Sequence, residues 1–313
     1  MQNKKYGVSL LGSLLLISVS WLLLGNWRNQ NLIALSPSSD QTTPAPSSTT
    51  AVIIIPRTTV TATPSFTPTP TVTTTPTPTQ PANGERTVIG YSVEGRELEV
   101  FQFGNGPTPL MIVAGIHGGY EWNTVSLADT LMERIITREV LIPNNVTLYI
   151  LRNLNPDGYE RDKGPGGRAN ANNVDLNRNW DSNWKETWWG TQCWSLQYIT
   201  AGSEPESEPE TKALKKFLLE KKIEQLISYH SAGLGIFSGG SPDDKRSSAL
   251  AYRLAQVSGY PYPPISRDCE YTGQLANWAS FQGIVAVDVE LSNHTNIDLE
   301  YNLNILEEFL DIE

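Results

Sequence analysis

Between residues 85 and 313 the period of the apolar positions changes several times. Thr87–Val93 and Glu97–Phe103 alternate apolar and polar side chains, which predicts two strands joined near Gly95. Leu110–Ile116, Val146–Leu151, Ile223–Tyr229 and Ile284–Leu291 are short apolar runs, the pattern of strands covered on both faces. Over Trp122–Ile136 the spacing becomes helical, with Val125, Leu127, Leu131 and Ile135 along one stripe. Helices are also predicted over Pro209–Glu220, Ala249–Val257 and Asp298–Leu310. Ser207 and Glu210 would form a capping box at the first of these. Strands alternating with helices predict an α/β fold: one domain with a mixed, mostly parallel sheet and helices on both faces. In such sheets ligands bind beyond the carboxyl ends of the strands. The polar residues that close an apolar strand are therefore the ones to examine.

The first 84 residues follow a different rule. Lys4 and Lys5 precede an apolar run from Gly7 to Leu24. As a helix this run would measure ~27 Å, enough to cross a bilayer. Residues 1–35 are expected to be either a retained signal anchor or a cleaved signal peptide, with small-residue cleavage sites at Ser18–Ser20 and Ala34–Ser36. The lysines stay inside and the remainder is exported. Residues 36–84 are rich in Pro, Thr and Ser, with repeats such as Thr67-Pro68-Thr69-Pro70. They carry too little apolar surface to offset the entropy of ordering, and proline favours an extended stalk reaching ~150 Å. Residues 85–313 then form the one expected globular domain, on the outer side of the membrane or secreted.

Charge sharpens this division. The chain carries −10 overall; four basic residues and one acid up to position 84 leave −13 on the globular part. An acidic domain argues against a nucleic-acid partner, which needs cations to displace counterions from phosphate. Two cysteines, Cys193 and Cys269, exclude a disulfide-rich scaffold and a cysteine zinc site, though exported thiols of this kind can pair. The domain is expected to be monomeric.

Two of the three histidines close apolar strands: His117 after LMIVAGI and His230 after LISY. Glu121 lies four residues past His117, and Glu290 ends the strand VAVDV. Two imidazoles and a carboxylate, with one position left for water, are the ligand set of a catalytic zinc ion. A second, unligated carboxylate then serves as base for the water.

The order of seven strings extends this reading. GIHGGYEWNT (115–124), NPDGYE (155–160), VDLNRNW (174–180), SEPET (207–211), SYHS (228–231), YTGQLANWA (271–279) and VDVEL (287–291) occur as in the zinc metallocarboxypeptidase family. The chain resembles most closely its bacterial branch, which includes peptidases of cell-wall peptides. The resemblance implies one Zn²⁺ ion held by His117, Glu121 and His230, with Glu290 as general base and proton shuttle. It places Asn177 and Arg178 on the substrate's terminal carboxylate, Arg168 on the oxyanion with Arg161 as the alternative, and Tyr271 as the residue that closes over substrate. The family's usual His-x-x-Glu is here His117-Gly118-Gly119-Tyr120-Glu121, one residue longer. Two glycines make such a turn inexpensive.

The implied reaction is hydrolysis of a peptide bond next to a free C-terminal carboxylate, on peptides or cell-wall peptides. A peptidoglycan stem-peptide endopeptidase or carboxypeptidase is the alternative. An N-acyl amino acid amidohydrolase is another, against which NPDG and SEPET argue. The family's specificity position falls at Ala276, and the lack of an acid there argues against a preference for basic residues. His294 is expected on the surface without a role. The tryptophans at 180, 184, 188, 189 and 194 are expected to pack core and loops, a stacking rim being the other reading.

Overall fold

The computed structural model of the protein describes residues 84–312, apart from 189–193, 195, 241 and 266–270. The expected signal or anchor, the stalk up to residue 83, Trp189 and both cysteines lie outside the described residues. Among the described residues no helix is long and apolar enough to cross a membrane.

Seven strands form one mixed sheet: β1 (Glu85–Tyr91), β2 (Glu97–Phe103), β3 (Thr108–Val113), β4 (Val146–Leu151), β5 (Gln225–Ser231), β6 (Gly235–Ser238) and β7 (Val285–Leu291). Their spatial order is β1-β2-β4-β3-β5-β7-β6. The central pairings β4–β3, β3–β5 and β5–β7 are parallel, and those toward the two edges are antiparallel. The apolar runs sit where both faces are covered, and β4 is buried throughout.

Residue alternation sorts the strand side chains between two layers. Leu110, Ile112, Leu148, Ile150, Val287 and Val289 join the core with α1 (Trp122–Ile136), α4 (Lys245–Ser258) and α6 (Leu299–Leu310). Met111, Val113, Tyr149, Leu151 and Ala286 face the other way, against α3 (Pro209–Glu220) and α5 (Leu275–Phe281). Helices on both faces thus follow from the period-two pattern of buried strands.

Two local expectations are corrected. Ser207 and Glu210 do not cap α3: Glu208 is its N-cap and no side-chain cap bond forms. Ser207 Oγ donates to Glu208 and accepts from Asn179, while Glu210 accepts from the Val93 amide and from Asn170. Tertiary polar partners displaced the local bond. Helix α4 begins at Lys245 rather than Ala249, because Asp244 accepts from the Ser247 amide at 2.9 Å and starts a polar first turn that apolar periodicity does not register. Three short elements were not predicted: α2 (Pro156–Arg161), β6 and α5. Each is too brief to show a period, although Asn155 before Pro156 is a strong N-cap for α2.

The parallel strands aim their carboxyl ends at one rim. β5 carries His230 and β7 carries Glu290 directly opposite it in register. The β3 ladder ends at Val113, and Ala114–Ile116 continues inward to deliver His117.

Candidate active site

His117, Glu121 and His230 converge at that rim, all buried, with their ligand atoms within 4.8 Å of one another. His117 Nδ1 lies 2.8 Å from Glu121 Oε1, His230 Nδ1 lies 3.2 Å from Glu121 Oε2, and the two Nδ1 atoms are 3.3 Å apart. A tetrahedral zinc with nitrogen ligands at 2.0–2.1 Å sets its donors about 3.3 Å apart. The donor set and its spacing therefore fit one zinc ion. The residue added between His117 and Glu121 is absorbed by a 3-10 turn over Gly118–Glu121. Gly118 takes φ +48° there, and a Cβ on Gly119 would meet the Asp162 carbonyl oxygen at 1.9 Å. Both glycines are required, one by its backbone angle and one by close approach.

Each imidazole is oriented from behind. His117 Nε2 is 3.1 Å from Asp175 Oδ1, and Asp175 Oδ2 accepts from Arg168 Nε at 2.8 Å. His230 Nε2 is 3.1 Å from Ser228 Oγ. These contacts leave both Nδ1 atoms facing the shared point, as a metal ligand requires. Burial would push the Asp175 carboxyl up, but the charges of Arg168 and His117 hold it well below the carboxylate range. Glu121 is held low in the same way, against burial, by the two imidazoles.

A cleft of about 600 Å³ opens over these groups, and eight residues that the sequence singled out line it: His117, Glu121, Arg168, Asn177, Arg178, His230, Tyr271 and Glu290. Glu290 Oε2 accepts from the Gly233 amide at 2.8 Å. Burial raises its carboxyl above the usual value, partly opposed by His230. Arg178 is buried; Nη1 donates to the Asn177 carbonyl at 2.7 Å, and Nε has no hydrogen-bond partner. Burial pulls its pKa down, with Asp175 opposing. Asn177 is held at both ends: Oδ1 accepts from the Leu275 amide, and Nδ2 lies 3.3 Å from His230 Nε2. The free donor at this corner is therefore Arg178. Arg161 is tied to the carbonyls of Gly166, Ala169 and Asn170 outside the cleft, so Arg168 is the arginine the fold brings to the metal corner.

Ala276 does not line the cleft. It packs into the apolar layer with Trp278 and Leu275, while Gln274 and Asn277 on the other side of α5 face the cavity. His294 is not a bystander on the surface: it lines the cleft, packs at a tilt against Tyr120 with ring centroids 4.3 Å apart, and its Nδ1 is 3.0 Å from Ser231 Oγ. Trp180 packs against Trp278 in the core. Trp188 and Trp194 instead flank cations, Arg178 at 4.4 Å and Arg168 at 4.5 Å, and Trp194 reaches the cleft. Sequence reasoning missed Asp175 and Asp288. Asp175 sits inside VDLNRNW, and Asp288 shares the Glu290 face of β7 by strand alternation.

The profile of the zinc carboxypeptidase family matches residues 79–308. Murein peptide amidase A of Escherichia coli K12 is 30% identical over 186 residues, 58% of this chain and 69% of that protein. The crystal structure of murein-tripeptide amidase from Escherichia coli O157 superimposes with a TM-score of 0.55 at 25% identity, covering 73% of this chain and 92% of that one. Carboxypeptidase A from Helicoverpa armigera shares the fold, with a TM-score of 0.59 at 19% identity, over 73% of this chain and 67% of that one.

Proposed function

This chain belongs to the zinc carboxypeptidase family and is a zinc metallopeptidase; on that premise we propose that it hydrolyses the amide bond next to a free terminal carboxylate. The observation that carries the reading is Arg178, a buried guanidinium with an unused Nε donor, in the same cleft as Glu290 and the three metal ligands. A planar guanidinium pairs bidentately with a carboxylate and discriminates against an amidated end.

His117, Glu121 and His230 would hold the ion, which supplies Lewis acidity that makes water nucleophilic near neutral pH. Glu290, fixed by the Gly233 amide, accepts a proton from the attacking water and returns it to the leaving amine. Arg168 is anchored through Nε on Asp175, and its Nη1 lies 3.7 Å from Glu121, so its charge stands at the metal corner, where it would favour the developing oxyanion. Arg178, with Asn177 beside it, positions the carboxylate. Tyr271, whose ring lies 5.7 Å from the Arg178 guanidinium, covers the bound end.

The apolar segment at Gly7–Leu24 and the Pro/Thr/Ser tract support an exported enzyme, anchored by its N-terminal segment or secreted. Similarity to murein peptide amidase A favours cell-wall stem peptides as substrates over general peptides. Incubating the zinc-loaded chain with matched peptides bearing a free or an amidated C-terminus tests the reading. Cleavage confined to the free acid is expected, and equal cleavage of both contradicts it. Turnover of isolated muropeptides, with ordinary peptides left intact, would select the wall substrate.

A further inference from the structure

Asp288 is a buried carboxylate in the cleft that this mechanism does not use. It sits two residues before Glu290 on β7 and is only 6% exposed. Neither carboxylate oxygen has a hydrogen bond among the described residues, and Oδ1 is fully enclosed without a partner. Its nearest charged neighbour is His230 Nε2 at 3.6 Å. That contact is too long for a hydrogen bond. His230 does not need it for orientation, because Ser228 Oγ stands closer to the same nitrogen, at 3.1 Å. The contrast with Asp175 is informative: behind His117 that carboxylate takes three short contacts, from His117, Arg168 and the Asn177 amide.

An ionised carboxylate taken out of water without hydrogen bonds costs several kcal/mol unless a cation meets it. Arg178 does not do so, since the two groups form no ion pair among the described residues, although both line the cleft. The cavity therefore holds one anion-seeking and one cation-seeking group, each with unused capacity. Phe237, opposite Asp288 on β6 and also lining the cleft, adds an apolar ring beside the carboxylate. That combination suits a side chain with a methylene stem and a charged tip.

We propose that Asp288 is a specificity residue that pairs with the ammonium of a diamino acid, on the same substrate residue whose α-carboxylate Arg178 holds. The assignment rests on the reaction proposed above and names its substrate class. It also replaces the sequence expectation built on Ala276: the acid of the pocket comes from the strand instead of the helix.

Binding tests this without turnover. The zinc-loaded full chain is titrated calorimetrically with Nα-acetyl-lysine and with Nα-acetyl-norleucine, which lacks the ammonium. Lysine should bind at least tenfold more tightly. Asp288→Asn should abolish the difference while zinc content stays at the wild-type level, and Asp288→Glu, which keeps the charge, should retain part of it. Equal binding of the two amino acids by the wild type overturns the proposal. So does an Asp288→Asn variant that weakens both equally or loses its zinc, since Asp288 would then serve only His230. Peptides ending in lysine and norleucine separate the two readings. If neither is cleaved but the binding difference holds, the reaction fails and the site stands. If both are cleaved equally well and bind equally, the reaction stands and the site fails.

Discussion

Behind the metal ligands the polar groups are paired: both imidazole Nε2 atoms and both Asp175 oxygens have a close partner outside the ligand set or on its far side. Across the same cleft, Arg178 Nε and Asp288 Oδ1 are as deeply buried and have none. Burial is common to both corners, so burial does not explain the difference. A metal corner must be rigid before the ion arrives, and its hydrogen bonds fix ring orientation and charge in advance. A substrate corner keeps donors and acceptors in reserve, because a group already paired would have to break that bond to bind. With Arg178 and Asp288 meeting the ligand as proposed, saturation marks what holds the cofactor and deficit marks what meets the ligand.

Four changes probe this contrast. The largest effect is expected for Glu290→Gln, which removes the proposed base but no metal donor: kcat should fall roughly 10²- to 10⁴-fold with zinc retained, read by steady-state kinetics and metal analysis on the same sample. Because burial raises the Glu290 carboxyl, wild-type kcat/KM should drop on the acid side at a pH above the ordinary glutamate range, as the base takes up its proton. Arg178→Met should cost about 2 kcal/mol or more, roughly thirtyfold in kcat/KM on free-acid peptides, and leave zinc affinity alone. Asp175→Asn works on the other corner and should weaken zinc binding roughly 10- to 100-fold, measured by competition with a chelator. Gly119→Ala forces a Cβ against the Asp162 carbonyl and should lower unfolding stability by about 1–3 kcal/mol, seen in denaturant titration. A Gly119→Ala protein as stable as the wild type would mean that the turn bearing Glu121 is looser than its contacts indicate.

Much of this is legible in the sequence alone. The apolar runs fixed the parallel strands, and strand ends drew attention to His117, His230 and Glu290. The helix over Trp122–Ile136 has the bounds its periodicity predicted. What the sequence concealed depends on which way a residue faces in a short element. Ala276 looked like a pocket residue, but in α5 Leu275, Ala276, Trp278 and Ala279 form the core stripe, and only Gln274 and Asn277 turn to the cleft. Asp288 reads as an ordinary polar alternate in a strand, although period two places it on the side of Glu290. His294 follows β7 in a loop, and nothing local announces that Ser231 and Tyr120 draw it to the cleft.

Zinc content measured by mass spectrometry after loading and exhaustive dialysis tests the central claim most directly, with the wild type and His230→Ala compared side by side. One zinc per wild-type chain and none in His230→Ala is the predicted result. A folded wild type that takes up no metal, or a His230→Ala chain that still holds one zinc, would contradict the account.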